Sequence, residues 1–207
     1  MSTTMTPEQM LAAAREAASA EAAAIQGVAE QIDESLVAVI EIITALKGKV
    51  LVTGGGTSST IARRMAHLLS VSGTPSLFVH AMDALHGTMG AIEPDDLLIA
   101  LSKGGESDEI NQLCRMVGEK GTVVVGIGER PESTLARLSD VFVPLRTAEG
   151  ADPGGILAMG STLVAATWGD ALARTLMRMR DWETGDSIGI HPAGYVGKIG
   201  ASDAERR

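Results

Sequence analysis

Between residues 49 and 145 the sequence switches period repeatedly, and that alternation limits the fold more than any other feature. Short aliphatic runs occupy Lys49–Thr53, Ser76–His80, Asp96–Leu101, Thr122–Ile127 and Asp140–Leu145. The segments between them place apolar residues three and four positions apart. The first carries Ile61, Met65, Leu68 and Leu69, closed by Gly73 and Pro75; another carries Ile110, Leu113, Cys114 and Val117 and ends near Gly121. Strands that read as unbroken aliphatic runs are buried on both faces, and strands alternating with helices make βαβ units. The pattern predicts an α/β chain: a three-layer α/β/α sandwich around a five-stranded parallel sheet.

The flanks are helical. From Pro7 to about Leu46 the sequence is rich in Ala and Glu, and Ile25, Val28, Ile32, Leu36, Val39, Ile40 and Ile43 form one stripe on one long helix or two. A last helical pattern runs from about Ala158 to Met179. A chain of 207 residues fits one domain at roughly 150 residues per domain. Its parts are a helical segment over about 7–47, an α/β core over about 48–198 and a polar tail, expected to be frayed, over 200–207.

Composition narrows the function. The single cysteine, Cys114, excludes a disulfide framework and a cysteine-rich zinc site and points to a reducing compartment. Residues 1–10 lack the basic and apolar regions of a secretory signal, and no apolar run is long enough to span a membrane. With a net charge of −9 and no basic cluster, neither nucleic acid nor an anionic membrane is expected as a partner. A soluble cytoplasmic domain is the expectation. The four histidines show no paired ligand spacing, so no metal is expected. His67, on the polar side of its helix, and His80, at a strand end, read as structural.

Two loops stand out. Gly54-Gly55-Gly56-Thr57-Ser58-Ser59-Thr60 follows the first strand, and Ser102-Lys103-Gly104-Gly105-Glu106-Ser107 follows the third. Glycine lets a ligand approach the backbone, hydroxyls donate to it, and the helix that each loop opens favours an anion. The first loop lacks the third glycine of a dinucleotide fingerprint, the second strand ends at His80 instead of an acidic residue, and no Walker loop occurs. A compact phosphate, such as a sugar phosphate, fits best. Glycine permitting a turn while a hydroxyl caps a helix is the plainer alternative for either loop alone.

These segments, in the order Gly54-Gly-Gly-Thr-Ser58, Gly73-Thr-Pro-Ser-Leu-Phe-Val-His80, Ala84-Leu-His-Gly87, Ser102-Lys-Gly-Gly-Glu-Ser107, Arg130-Pro-Glu-Ser133 and His191-Pro-Ala-Gly194, resemble the sugar isomerase (SIS) domain family. Within it the sequence is most similar to the D-arabinose 5-phosphate isomerases, over about residues 35–198. The resemblance implies a flavodoxin-like fold, a homo-oligomer (commonly a tetramer) and a phosphosugar ligand without a cofactor. The pair of CBS domains that follows in many such isomerases would begin just after Lys198 and is expected to be missing. The family's phosphate-binding hydroxyls correspond to Ser58, Ser102 and Ser107, with Gly56, Thr57, Lys103, Gly105 and Glu106 lining the same loops. Two departures stand out: Thr57 occupies the place of the family's first-loop lysine, and Lys103 and Gly104 replace Asn and Ser in the second. Lys103 is expected to restore the lost charge from the opposite side of the pocket.

Aldose–ketose isomerisation needs a base to carry a proton between adjacent carbons and donors for the developing oxyanion. The resemblance places the base at Glu149, in the loop before the last long helix, with Asp152 in reserve because that loop is slightly longer here. It assigns His191 to ring opening or proton shuttling, contributed in relatives by a neighbouring subunit, and places His86 in the pocket. Glu106 sits at a helix start, where a capping or dipole role competes with a ligand role. The expected activity is a phosphosugar aldose–ketose isomerase passing through an enediol. The nearest precedent is D-arabinose 5-phosphate/D-ribulose 5-phosphate, with another sugar phosphate such as 3-hexulose 6-phosphate open. A non-catalytic phosphosugar sensor is the rival from a different class; a purely structural subunit would leave the two loops unexplained.

Overall fold

The computed structural model describes residues 5–198; the predicted polar tail at 200–207 lies outside the described residues. Helix α1 (Pro7–Gln26) opens with a capping box between Thr6 and Gln9 and with proline at its first position, where the missing N–H costs nothing. It ends at Gly27, and α2 (Glu34–Ala45) begins anew under an Asp33 cap. The predicted stripe is therefore split between two helices. Leu36, Val39, Ile40 and Ile43 are buried, whereas Ile25 and Ile32, on either side of the break, are each 38% exposed.

The remaining elements follow in alternation: β1 (Val50–Gly54), α3 (Gly56–Val71), β2 (Ser76–Phe78), α4 (Ala81–Leu85), β3 (Leu97–Leu101), α5 (Asp108–Gly118), β4 (Val123–Gly128), α6 (Thr134–Leu138), β5 (Val141–Pro144), α7 (Gly160–Met179) and α8 (Thr184–Gly189). All five strands run parallel in the order β2-β1-β3-β4-β5. The short helices α4, α6 and α8 have no counterpart in the sequence pattern.

Strand alternation divides the core into two layers. Val50, Val52, Leu97, Ile99 and Val125 face α1, α2, α3 and α7, with Trp168 and Leu172 among the buried contacts of α7. Leu51, Leu98, Ala100 and Val124 face the opposite way, onto α4, α5 and α6. Both layers are continuous and dry, which is why the strands read as aliphatic runs and not as apolar–polar alternations. Arg64 and Asp170 tie α3 to α7 through a two-pronged pair (2.6 and 2.9 Å) at the surface.

At the amino end of the sheet, buried Asp96 accepts from Lys49 N (2.9 Å), Lys49 Nζ (2.7 Å) and Glu93 N (2.9 Å), joining the starts of β1 and β3. At the carboxyl end the two strands part company: β1 connects outward to β2, and β3 connects the other way to β4. That reversal opens a crevice between the loops, where ligands of open parallel sheets bind.

Cys114 lies in the second layer, and burial pushes its thiol up to about 12. The thiolate is the reactive form. Thiol reagents should therefore leave the native chain unmodified and label Cys114 only as denaturant unfolds it; rapid labelling of the native chain would contradict this packing.

Candidate functional site

The crevice is a pocket of about 380 Å³ including its open mouth. Its floor is apolar, from Ile61, Leu101, Ile127 and Ala165, and its walls are polar, from Ser58, Ser102, Lys103, Glu129, Thr147, Ser161 and Thr162. Close packing of loop backbone shapes two of the walls. A Cβ on Gly54 would lie 2.9 Å from the Ser58 backbone, and one on Gly128 would lie 2.4 Å from the Ser102 carbonyl oxygen. Without side chains there, the α3 start and the β3 loop can both approach the strand ends.

Of the three expected hydroxyls, Ser58 and Ser102 line the pocket and Ser107 lies beside Ser102. Ser102 is buried, and its Oγ lies 3.3 Å from Oγ of Ser107. Ser107 is the N-cap of α5 but does not use its hydroxyl for capping. In α3, Ser59 and Thr60 turn their hydroxyls back onto the carbonyls of Gly56 and Thr57 (2.7 Å each), while Ser58 lines the pocket. The α3 N-cap, Gly55, offers no side-chain acceptor, so the first N–H groups of that helix keep their capacity for an anion.

Lys103 does line the pocket, but its ammonium is already paired. Nζ lies 2.6 Å from Oδ2 of Asp152 and donates to the Gly155 carbonyl at 2.9 Å. The other oxygen of Asp152 accepts from the backbone N–H of Met159 (2.8 Å) and Ser161 (3.0 Å), so it caps α7. Burial works to raise the Asp152 carboxyl. Lys103 and the α7 start outweigh it and hold the group at about 2. The Ser161 hydroxyl, close enough to favour that charge, is itself buried and completes no hydrogen bond among the described residues. Asp152 is thus a structural anion held ionised by three donors, unsuited to the proton transfer for which it stood in reserve.

Other expected residues lie elsewhere. Gly56 and Thr57 open α3 on its exposed side. Gly105 is buried, and its carbonyl accepts from Leu135 N (3.0 Å) and Asn111 Nδ2 (3.1 Å). Glu106 faces α6: its carboxylate accepts from Thr134 N (3.0 Å), and hydrogen bonding to Thr134 holds its pKa below the ordinary value. It therefore serves the next helix and not the pocket. His86 is exposed at the end of α4, and Glu149 is exposed in the loop after β5; neither lines the pocket.

His191 lies at the opposite end of the fold. Its Nδ1 meets the Ser187 carbonyl, and Ser187 in turn bonds the carbonyl of Val71, the last residue of α3. Since α3 begins at the pocket and has 16 residues, its ends are about 24 Å apart. Among the described residues, no group of three or more His, Cys, Asp or Glu is arranged to hold a metal ion, and no helix is long and apolar enough to cross a membrane.

Four polar pocket residues went unrecognised in the sequence: Glu129, Thr147, Ser161 and Thr162. A signal existed for the last two. Gly160-Ser161-Thr162 opens a long helix with the same residue types as the first loop.

The SIS domain profile matches residues 43–173. Arabinose 5-phosphate isomerase KdsD of Escherichia coli (strain K12) is 40% identical over 152 residues, which are 73% of this chain and 46% of that protein. Arabinose 5-phosphate isomerase KpsF of Escherichia coli is 34% identical over 190 residues, 91% of this chain and 60% of that protein. The chain therefore spans about half the length of these curated relatives. Among solved structures, an E. coli CFT073 protein in complex with arabinose 5-phosphate superposes with a TM-score of 0.86 at 28% identity, covering 91% of this chain and 100% of that one.

The Asp152 clamp has a pH signature. Its carboxyl sits at about 2 against an ordinary 3.8, so the stability it contributes is complete above 3.8 and is lost as the pH falls towards 2. Asp152→Asn should be less stable than wild type at neutral pH by about 2–3 kcal/mol in chemical denaturation. That gap should narrow as both are measured at lower pH within this window; a gap independent of pH would refute the assignment.

Proposed function

Because the chain belongs to the SIS domain family, over residues 43–173, we propose that its pocket binds a phosphorylated sugar and interconverts the aldose and ketose forms. The observation that carries this reading is the meeting of Ser58 and Ser102, with the open start of α3, in one pocket at the sheet's point of reversal, and Ser107 Oγ 3.3 Å from Ser102 Oγ. Those donors suit a phosphate monoester held by hydroxyls and amides, without long-range attraction from a protein of net charge −9. Lys103 has three N–H donors, of which two are used, and the third supplies a cationic contact. D-Arabinose 5-phosphate with D-ribulose 5-phosphate is the nearest precedent for the pair.

In this reading Glu149 removes the C2 proton of the open-chain aldose, and the electrons pass to the carbonyl to give an enediol. Return of that proton to C1, as the O2 proton passes to O1, gives the ketose. Donors around the pocket support the oxyanion as it forms. His191 assists ring opening or moves a proton between oxygens. Its distance from the pocket in one chain requires that a second copy supply it.

The surface supports such an assembly. Of the residues of α1, only Ala24 is buried, and Met10 and Leu11 are exposed; beside the pocket, Ile156 is 83% exposed and Leu157 57%. A cytoplasmic homo-oligomer, a tetramer as in the family resemblance, would cover these groups and complete the site. A sensor is the second reading, favoured by one observation: within a single chain the pocket has the phosphate donors but neither Glu149 nor His191.

Solvent-deuterium exchange followed by NMR separates the two. Wild type should exchange the C1 or C2 hydrogen of at least one pentose phosphate. Glu149→Gln should abolish exchange while leaving binding within a few-fold, and His191→Ala should lower it by about 100-fold or more. Mixing the two inactive variants through dissociation and reassembly should restore part of the activity if the sites are shared. Binding without exchange in wild type would favour the sensor.

A further inference from the structure

The pocket has an acceptor as well as donors. Glu129 follows β4, is half-buried and is the one carboxylate among the described residues that line the pocket. Its main chain is fixed beside the second loop, with its N–H donating to the Lys103 carbonyl at 2.9 Å. Its side chain is fixed from the next strand: Oε1 accepts from Thr147 N at 3.2 Å and from Thr147 Oγ1 at 2.5 Å. Among the described residues no Lys, Arg or His forms an ion pair with Glu129; the pocket's lysine pairs with Asp152.

A held, unpaired carboxylate is poorly placed for a phosphate and well placed for hydroxyls. An ionised carboxylate has about four acceptor positions, and Thr147 takes two of them on one oxygen. The second oxygen keeps its acceptor capacity, and the first two bonds remove the rotamer freedom that a ligand would otherwise have to freeze. The donors, in contrast, are concentrated at the starts of α3 and α5.

We propose that Glu129 is a specificity-determining residue that reads the sugar's hydroxyls and thereby orients the ligand. The phosphate lies against Ser58, Ser102 and Ser107, the polyol chain runs towards Glu129, and Oε2 accepts from its hydroxyls. The negative charge excludes a second anionic group from that end. The ligand class is a monophosphate with an uncharged polyhydroxyl chain. This rests on the phosphosugar reading of the same pocket and adds the direction of binding and the grounds for selection.

Titration calorimetry with three probes tests it: inorganic phosphate, D-ribulose 5-phosphate and D-ribulose 1,5-bisphosphate. Wild type should prefer the monophosphate to both other probes. In Glu129→Gln, which keeps size and removes charge, monophosphate affinity should fall by about tenfold or more, the usual scale of a charged hydrogen bond. Inorganic phosphate affinity should stay within a few-fold, and discrimination against the bisphosphate should shrink. Thr147→Val, which releases Glu129 but leaves its charge, should weaken the monophosphate by a smaller factor and still reject the bisphosphate. Parallel loss for all three probes in Glu129→Gln, or no change for any, would overturn the role of Glu129 while leaving the phosphosugar reading intact. Failure of wild type to bind the monophosphate more tightly than inorganic phosphate would overturn both.

Discussion

The bond on which the rest of the site depends is the one between Asp152 and Lys103. It joins the end of β3 to the segment before α7, two parts of the chain 49 residues apart. Through its second oxygen the same carboxylate holds the first N–H groups of α7, so one buried group anchors a loop, a lysine and a 20-residue helix. An isolated charge in this position would be costly. Three donors, Lys103 Nζ and the Met159 and Ser161 N–H groups of the α7 start, make it tolerable and leave the group ionised at every ordinary pH.

That arrangement also decides where a ligand's negative charge can go. Three long helices begin around the pocket, and each start could attract an anion. At α7 the place is taken by Asp152. The starts of α3 and α5 have no side-chain cap; Ser58 and Ser102 line the pocket there, and Ser107 at the α5 start lies within reach of Ser102. An acidic protein thereby presents a local site for an anion without a basic surface, because the relevant donors are amides and hydroxyls within hydrogen-bond reach and not distant charges.

The parts legible in the sequence were those with a local cause. The strands were readable because burial on both faces requires every residue to be apolar, as at Leu97–Leu101. The two loops were readable because glycines and hydroxyls sit next to one another along the chain. The break at Gly27 was harder: Ile25 and Ile32 continue the spacing of the stripe, but the turn rotates them away from the core. Helices α4 and α6 span five residues each, too short for a repeating apolar face. Lys103 was legible as a pocket residue, yet its partner could not be inferred, because nothing local links positions 103 and 152. Glu129 and Thr147 were missed for a similar reason. They meet only when β4 and β5 pair, and neither carries a glycine–hydroxyl signature.

In the proposed reading the same distinction separates what one chain supplies from what an assembly would supply. Recognition groups lie on strand ends and helix starts of a single chain, where the fold holds them rigidly. The groups proposed for proton transfer lie outside that frame: Glu149 on an exposed loop, and His191 beyond α8 at the far end of α3. Motion within one chain cannot close a separation of about 24 Å without unpacking α8 from α3. A second copy can, since symmetric association brings one end of a protomer against another part of its partner. Exposed Ile156 and Leu157, in the same connection between β5 and α7 as Glu149, would be covered by such a copy. Binding and catalysis would consequently have different dependences on assembly, the first belonging to the chain and the second to the interface.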